Sequence, residues 1–285
     1  MQISQLSKIL PGQDGAIFGD RLFRFTSNAR GYLYNIISEN GELSFELVNE
    51  FTLDKADILM PHSNAVFFGT EYYAPGDEFP VLYTNIYNSY PSMPERCGVL
   101  CAYRIRIVDG AVETELVQVL KVGFTDNKAL WRSEAEKGDV RPYGNFAMDK
   151  ENARIYAFTM RDLPKTTAYF AFNAPSVKDG VYSQEIDATV YTFTEKDIVS
   201  SFEDEYTKYM QGAIIHKGIL YSVEGFTSSE VNVPAIRRID LLQKKQIDYV
   251  NLTAAGYPIE PEFIDFYGEE CIYIDASGNV FKMEY

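Results

Sequence analysis

The 285-residue chain sets 26 Lys and Arg against 41 Asp and Glu, a formal charge of -15. That balance excludes nonspecific attraction to nucleic acid or to an anionic bilayer, since both demand clustered cations. Hydrophobic residues at 46%, with 21 Tyr and 19 Phe, exclude disorder and favour strands.

The opening run Met1–Leu10 lacks the basic flank and continuous apolar segment of a secretory signal, and no stretch reaches the length of a membrane span. A soluble, cytoplasmic protein is the expectation. Cys97, Cys101 and Cys271 are too few and too irregular for a disulfide framework or a four-ligand zinc site, and read as packing residues.

Five related segments recur, each an apolar run, a turn and a second run centred on an aromatic. They are Gly15–Phe25, Asn64–Phe68 continuing after an insert at Val81–Asn85, Asn145–Phe158, Gly212–Val223 and Glu262–Asp275. A unit of this kind cannot bury its own apolar face, so the copies must stack on one another. Repeats of four strands around an axis make a β-propeller. The expected fold is therefore a single all-β domain over residues 1–285, a five-bladed propeller.

Taken in order, each copy supplies the two inner strands of a blade and the following sequence supplies the outer two. In the first blade Gly31–Ile37 and Leu43–Phe51 flank the turn Glu39-Asn-Gly41; in the second, Val99–Val108 and Glu113–Val122 flank Asp109-Gly110. The third blade is expected to use Ala168–Asn173 and Thr189–Thr194, and the fourth Ala235–Leu241 and Gln246–Leu252. After the fifth copy only Gly278–Tyr285 remains, enough for one outer strand. Gln2–Leu10 is expected to supply the other, so that both termini close the ring and no open sheet edge is left there.

The anchors Gly15, Asn64, Asn145, Gly212 and Glu262 lie 49, 81, 67 and 50 residues apart, so the second and third blades carry insertions. These are Ala74–Phe79, Tyr87–Cys97, Thr125–Arg141 and Pro175–Glu185. Long excursions on a compact scaffold are common places for binding or catalysis, and also for harmless drift.

Residues just before each innermost strand crowd around the axis on one face. They are Gln13-Asp14-Gly15, His62-Ser63-Asn64, Tyr143-Gly144-Asn145, Met210-Gln211-Gly212 and Glu260-Pro261-Glu262, and the second strands end at Asn28 or Arg30, Asn85, Arg161, Glu224 and Asp275. Such a polar ring suits a small-ligand pocket, and equally suits satisfaction of backbone groups and channel water. The ligand-binding candidates are Gln13, His62, Asn64, Arg141, Tyr143, Asn145, Arg161, Gln211, Glu224 and Glu262.

The chemistry such a ring offers centres on His62, Tyr143, Glu260 and Glu262. His62 could act as a base, a proton donor or an orienting group near neutral pH. Glu260 and Glu262, two apart in an extended segment, would share a side, where one carboxyl raises the pKa of the other. Paired carboxylates serve acid and base chemistry, or hold sugar hydroxyls or a cation. Near Trp131, the Arg132, Arg141 and Arg161 guanidiniums form a potential anion handle, or else pair with surface carboxylates while Trp131 caps the core. A nucleophile elbow, P-loop, dinucleotide fingerprint and His-Glu-x-x-His are all absent from the sequence.

Gln211-Gly212 before a strand, His62-Ser-Asn64, and Ile259-Glu-Pro-Glu262 followed by Phe263-Ile-Asp-Phe-Tyr267 resemble the blade cores of bacterial propellers of the helveticin-like and teichoic-acid-biosynthesis-protein-C-like group. What this resemblance implies is the propeller fold, with no catalytic assignment. The expected function is binding of a small polar ligand, a glycan or an anionic metabolite, at the loop-rich face. A glycan hydrolase or lyase at the same face, and a protein-interaction platform, are the alternatives. No metal is expected, and the sequence leaves the cofactor unknown.

Overall fold

The computed structural model describes residues 2–86, 96–131, 142–161, 165–207, 209–227 and 229–285. Five sheets surround one axis.

Strand β1 (Gln2–Lys8) opens the chain and joins the last sheet. The first blade is β2 (Gly15–Phe18), β3 (Arg21–Phe25), β4 (Arg30–Glu39) and β5 (Glu42–Thr52). Asn40 and Gly41 take φ of 53° and 82° between β4 and β5, the left-handed pair of a tight hairpin turn. The second blade begins with β6 (Val66–Phe68), β7 (Leu82–Ile86), β8 (Val99–Val108) and β9 (Ala111–Val122), with Asp109 and Gly110 making the same turn at φ 51° and 81°.

The third blade departs from expectation. It runs β10 (Asn145–Asp149), β11 (Arg154–Arg161) and β12 (Thr166–Asn173), then leaves for a hairpin of β13 (Val181–Ser183) and β14 (Ala188–Phe193), and returns as β15 (Ile198–Glu205). It is β15, not Thr189–Thr194, that completes this sheet. β14 instead pairs parallel with β9 and extends the second blade to six strands. The reason is packing. Phe193 stacks on Phe172 at 4.5 Å and closes the apolar seam between the two blades, while Phe202 of β15 stacks on Tyr169 at 4.7 Å.

The fourth blade is β16 (Met210–His216), β17 (Ile219–Glu224), β18 (Ala235–Asp240) and β19 (Lys245–Asn251). The fifth is β20 (Pro261–Tyr267), β21 (Glu270–Asp275) and β22 (Asn279–Glu284), with β1 hydrogen-bonded to β22 from Gln2↔Glu284 to Lys8↔Asn279. Both termini thus build the closing blade, as the sequence predicts. The innermost strands β2, β6, β10, β16 and β20 each touch the next around the ring, and β20 touches β2.

Between neighbouring sheets lie apolar seams. One cluster joins blades two and three through Phe67, Leu100, Phe146, Phe170 and Trp131; another joins blades one and two through Phe23, Phe51, Phe68, Leu82 and Tyr103. Phe and Tyr dominate because blades diverge outward, and large flat side chains fill a wedge by edge and stacked contacts. The three cysteines are buried. Among the described residues, no helix is long and apolar enough to cross a membrane.

Two of the predicted insertions, Ala74–Phe79 between β6 and β7 and Pro175–Glu185 between β12 and β14, project on the face opposite the starts of the innermost strands. Most of Tyr87–Cys97 and of Thr125–Arg141 falls outside the described residues.

Candidate functional site

At the face where the innermost strands begin, polar side chains bridge every seam of the ring. Asp14 crosses from the first blade to the second, its Oδ2 accepting the Val66 N–H at 2.8 Å. Asn85 accepts the N–H groups of Asn64 and Ala65 at 3.0 Å each, and donates through Nδ2 to Asn64 Oδ1 and to Gly144 O of the third blade at 2.6 Å. Asn145 Nδ2 donates to Met210 O of the fourth blade at 2.6 Å. Gln211 donates to Glu260 across the next seam, and Gln13 donates to Glu262 Oε1 at 3.0 Å across the last. Deeper, Asp265 Oδ2 accepts the Ile17 N–H at 2.7 Å, a second tie between blades five and one.

Local backbone features aim these groups. The strand ladder skips Gln211 between Met210 and Gly212, and skips Glu262 between Pro261 and Phe263. A β-bulge leaves its extra residue unpaired and turns its side chain away from the strand's alternation. Gly212 is required by space. A Cβ there would lie 3.0 Å from Glu262 O and 3.1 Å from Asp14 Oδ1, so the absent side chain lets Asp14 reach across the mouth.

The result is layered. Gln13, His62, Gln211 and Glu260 form a half-buried rim, above a floor of Asp14, Asn64, Asn145 and Glu262, which are at most 6% exposed. Asp14, Asn145 and Glu262 each spend one polar atom on a seam, and Asn64 spends its Oδ1 on Asn85 of its own blade; each keeps another, Asp14 Oδ1, Asn64 Nδ2, Asn145 Oδ1 and Glu262 Oε2, without a hydrogen-bond partner in the protein. Arg24, fully buried, is the internal countercharge. It donates to Gly12 O at 2.9 Å and to Asp275 O at 3.3 Å, and its Nε and Nη1 remain unpartnered.

Burial dominates the electrostatics of this floor. It pushes the Glu262 carboxyl up to about 8, reinforced by Glu260 and opposed by Arg24 and the Gln13 hydrogen bond. Burial likewise holds Asp14 well above the usual carboxylate range, against the Val66 and Gly15 N–H groups and Arg24. The Arg24 guanidinium is lowered to about 10 by burial, with Glu262 and Asp14 opposing. The Glu260 carboxyl is raised by burial alone.

Three of the sequence-predicted site residues stand elsewhere. Tyr143, at φ 54°, turns into the apolar seam between blades two and three, edge-on to Phe124 at 5.5 Å and Phe170 at 5.6 Å, and is removed from the ring. Arg161 pairs with Glu203 on the outer strand of its own blade. Glu224 forms a buried pair with Arg237 at 2.8 Å, inside the fourth blade. Arg141 and Arg132 lie outside the described residues. Trp131 is buried, its Nε1 donating to Thr125 O at 2.8 Å, and so caps the core. The sequence reading passed over Arg24, whose signal was a charge on the inward alternation it shares with Leu22. Among the described residues, no three His, Cys, Asp or Glu side chains gather to hold a metal ion.

No protein-family model matches the chain, and no curated protein sequence matches it. Among solved structures, the glutaminyl cyclase of Myxococcus xanthus aligns with 100% of this chain and 94% of its own, at 10% identity and a TM-score of 0.45. The hydrazine synthase of Kuenenia stuttgartiensis aligns with 95% of this chain and 58% of its own, at 10% identity and a TM-score of 0.36. The chain is a five-bladed β-propeller, and its function has to be read from the chemistry of its own channel mouth.

Proposed function

We propose that the channel mouth binds a small, neutral, hydroxyl-bearing ligand, a glycan unit being the best fit. The observation that carries this reading is the set of unpartnered atoms on Asp14, Asn64, Asn145 and Glu262, each on a side chain otherwise fixed by a hydrogen bond to the scaffold. Unmet acceptors beside an unmet donor match hydroxyl groups, which both donate and accept. An anionic metabolite is the poorer match, because Arg24 is fully buried and already faces Glu262 and Asp14, while Glu260 stands at the rim.

A glycan hydrolase or lyase is the second reading, favoured by a Glu262 carboxyl that stays protonated near neutral pH beside Glu260 and can donate a proton. A protein platform has less support, since the most exposed apolar side chains, Val181, Val231 and Leu242, sit in three separate segments.

The test is a thermal-shift screen with neutral sugars, organic acids, nucleotides and divalent ions, repeated on His62→Ala at the rim. Neutral sugars are expected to raise the midpoint of the wild type and not of the variant. No shift from any sugar, or a shift indifferent to His62, refutes the mouth as the site. Glu262→Gln separates the two readings, because it keeps the shape of the side chain but cannot give up a proton. Binding retained with turnover lost marks an enzyme.

A further inference from the structure

On the face away from the mouth, a cavity of about 430 Å³ opens in the seam between blades four and five. That volume falls within the range of small-molecule sites. Strand pairing fixes which side chains enter it, because opposed residues of an antiparallel pair share a face. Tyr221 stands opposite Arg238, and Phe266 stands opposite Cys271, which in turn stands opposite Met283. Tyr221, Cys271 and Met283 belong to the apolar core of this seam, with Phe266 packed against it, so Arg238 faces the seam as well. The opposite alternation takes Glu270 and Lys282 to the other face of blade five, where they pair at 2.6 Å.

Two features of the lining bear on a ligand. The first is a set of flat rings. His216, at the end of β16, stacks on Phe266 with centroids 3.9 Å apart and planes 8° from parallel, and Tyr221 meets Phe266 edge-on at 5.0 Å. Burial, aided by Lys217, lowers the His216 imidazole, which leaves it a neutral ring at pH 7, and its Nε2 has no hydrogen-bond partner.

The second feature is a guanidinium loosely held. Arg238 lies over the rings of Tyr285 and Tyr221, 4.1 and 5.4 Å from their centroids, and its Nε is unpartnered. Its ion pair to Asp248 is 3.5 Å long, whereas Asp77 holds Arg104 at 2.6 Å and Glu224 holds Arg237 at 2.8 Å. Lys217 at the rim is already taken by Glu269 at 2.5 Å. The cavity thus combines aromatic walls with one planar fork of donors that lacks a matching acceptor pair.

From this we infer that the cavity binds a 6-oxopurine base, guanine or hypoxanthine, as the free nucleoside. The ring lies on the face of His216 that Phe266 leaves uncovered, since bases stack on flat side chains. Its O6 and N7, adjacent acceptors on one edge, take the Arg238 fork. Adenine is the wrong partner, because its N6 amino group sets donors against donors. An aromatic carboxylate would also suit the fork but brings an anion beside Asp248 and Glu269, and a polynucleotide is opposed by the chain's charge of -15. The inference is independent of what binds at the mouth.

The experiment measures affinity by isothermal titration for guanosine, inosine, adenosine and phenylacetate. Guanosine and inosine are expected to bind roughly tenfold or more tightly than adenosine, the discrimination of one bidentate pair. Arg238→Lys keeps the charge but not the planar fork, and should bring guanosine down to the level of adenosine. His216→Ala removes a stacking face from a partly exposed position and should weaken all the purines together, by roughly fivefold or more. Equal affinity for guanosine and adenosine in the wild type overturns the assignment, as does binding of phenylacetate alone or of none of the four. A preference for guanosine that survives Arg238→Lys, or purine binding indifferent to His216→Ala, refutes the cavity as the site.

Discussion

Glu262→Gln should make the protein more stable, and increasingly so as the pH rises. In the folded chain the Glu262 carboxyl titrates at about 8 against an ordinary value of 4.5, chiefly because it is buried. Below pH 4.5 it is protonated in both the folded and unfolded states and contributes no pH dependence. Between 4.5 and 8 the unfolded chain releases the proton while the folded chain keeps it, so stability falls by about 1.4 kcal/mol for each pH unit. Above 8 the loss levels off at about 5 kcal/mol, an upper figure that relaxation around the ionised group will reduce. That is comparable with the whole stability of many domains. Glutamine fills the same space, keeps an oxygen for the Gln13 donor and cannot ionise. Urea unfolding of both proteins from pH 4.5 to 8.5 should give curves that nearly coincide at the acid end and diverge by several kcal/mol at the basic end. Asp14 and Asp265, also raised by burial, add slopes of the same sign to both proteins and cancel in the difference. Parallel curves would refute the burial of an unpaired Glu262.

Asn85→Ala removes the partner of the Asn64 and Ala65 N–H groups and of Gly144 O at once, and should lower stability by about 3 kcal/mol without changing the denaturant slope. A loss below about 1 kcal/mol in urea unfolding would count against the bridging role. Deleting residues 2–8 strips β1 from β22 and exposes a strand edge, so light scattering should detect association, and a monomer with an unchanged melting midpoint would contradict the closure.

Four blades were legible because their signals are local. Asn40-Gly41 and Asp109-Gly110 fix hairpin turns, and alternation on either side fixes which face is buried. The third blade was not, because two segments compete for one edge. Thr189–Phe193 has the stronger strand composition, yet its partner β9 lies in another blade and pairs with it in parallel, which no short-range pattern announces. The true edge, β15, places Ser200 and Asp204 on its inward alternation with Ile198 and Phe202, which dilutes the apolar signal. At the mouth, composition identified the polar ring and the Glu260 and Glu262 pair. It could not identify which carboxyl is buried, because the bulge at Glu262 breaks the alternation on which that inference depends. Tyr143 misled for a related reason: a left-handed residue in a polar row redirects its side chain into the seam.

On the reading proposed above, the side-chain types at the mouth follow from having two tasks. A bridge across a seam needs one polar atom, and a serine or threonine hydroxyl would provide it. Asp14, Asn64, Asn145 and Glu262 each carry two polar atoms on a planar terminus, so one can be fixed, by a neighbouring blade for Asp14, Asn145 and Glu262 and by Asn85 for Asn64, while the other faces a different direction. The seam bond holds the terminus, so the second atom needs little further ordering when a ligand arrives.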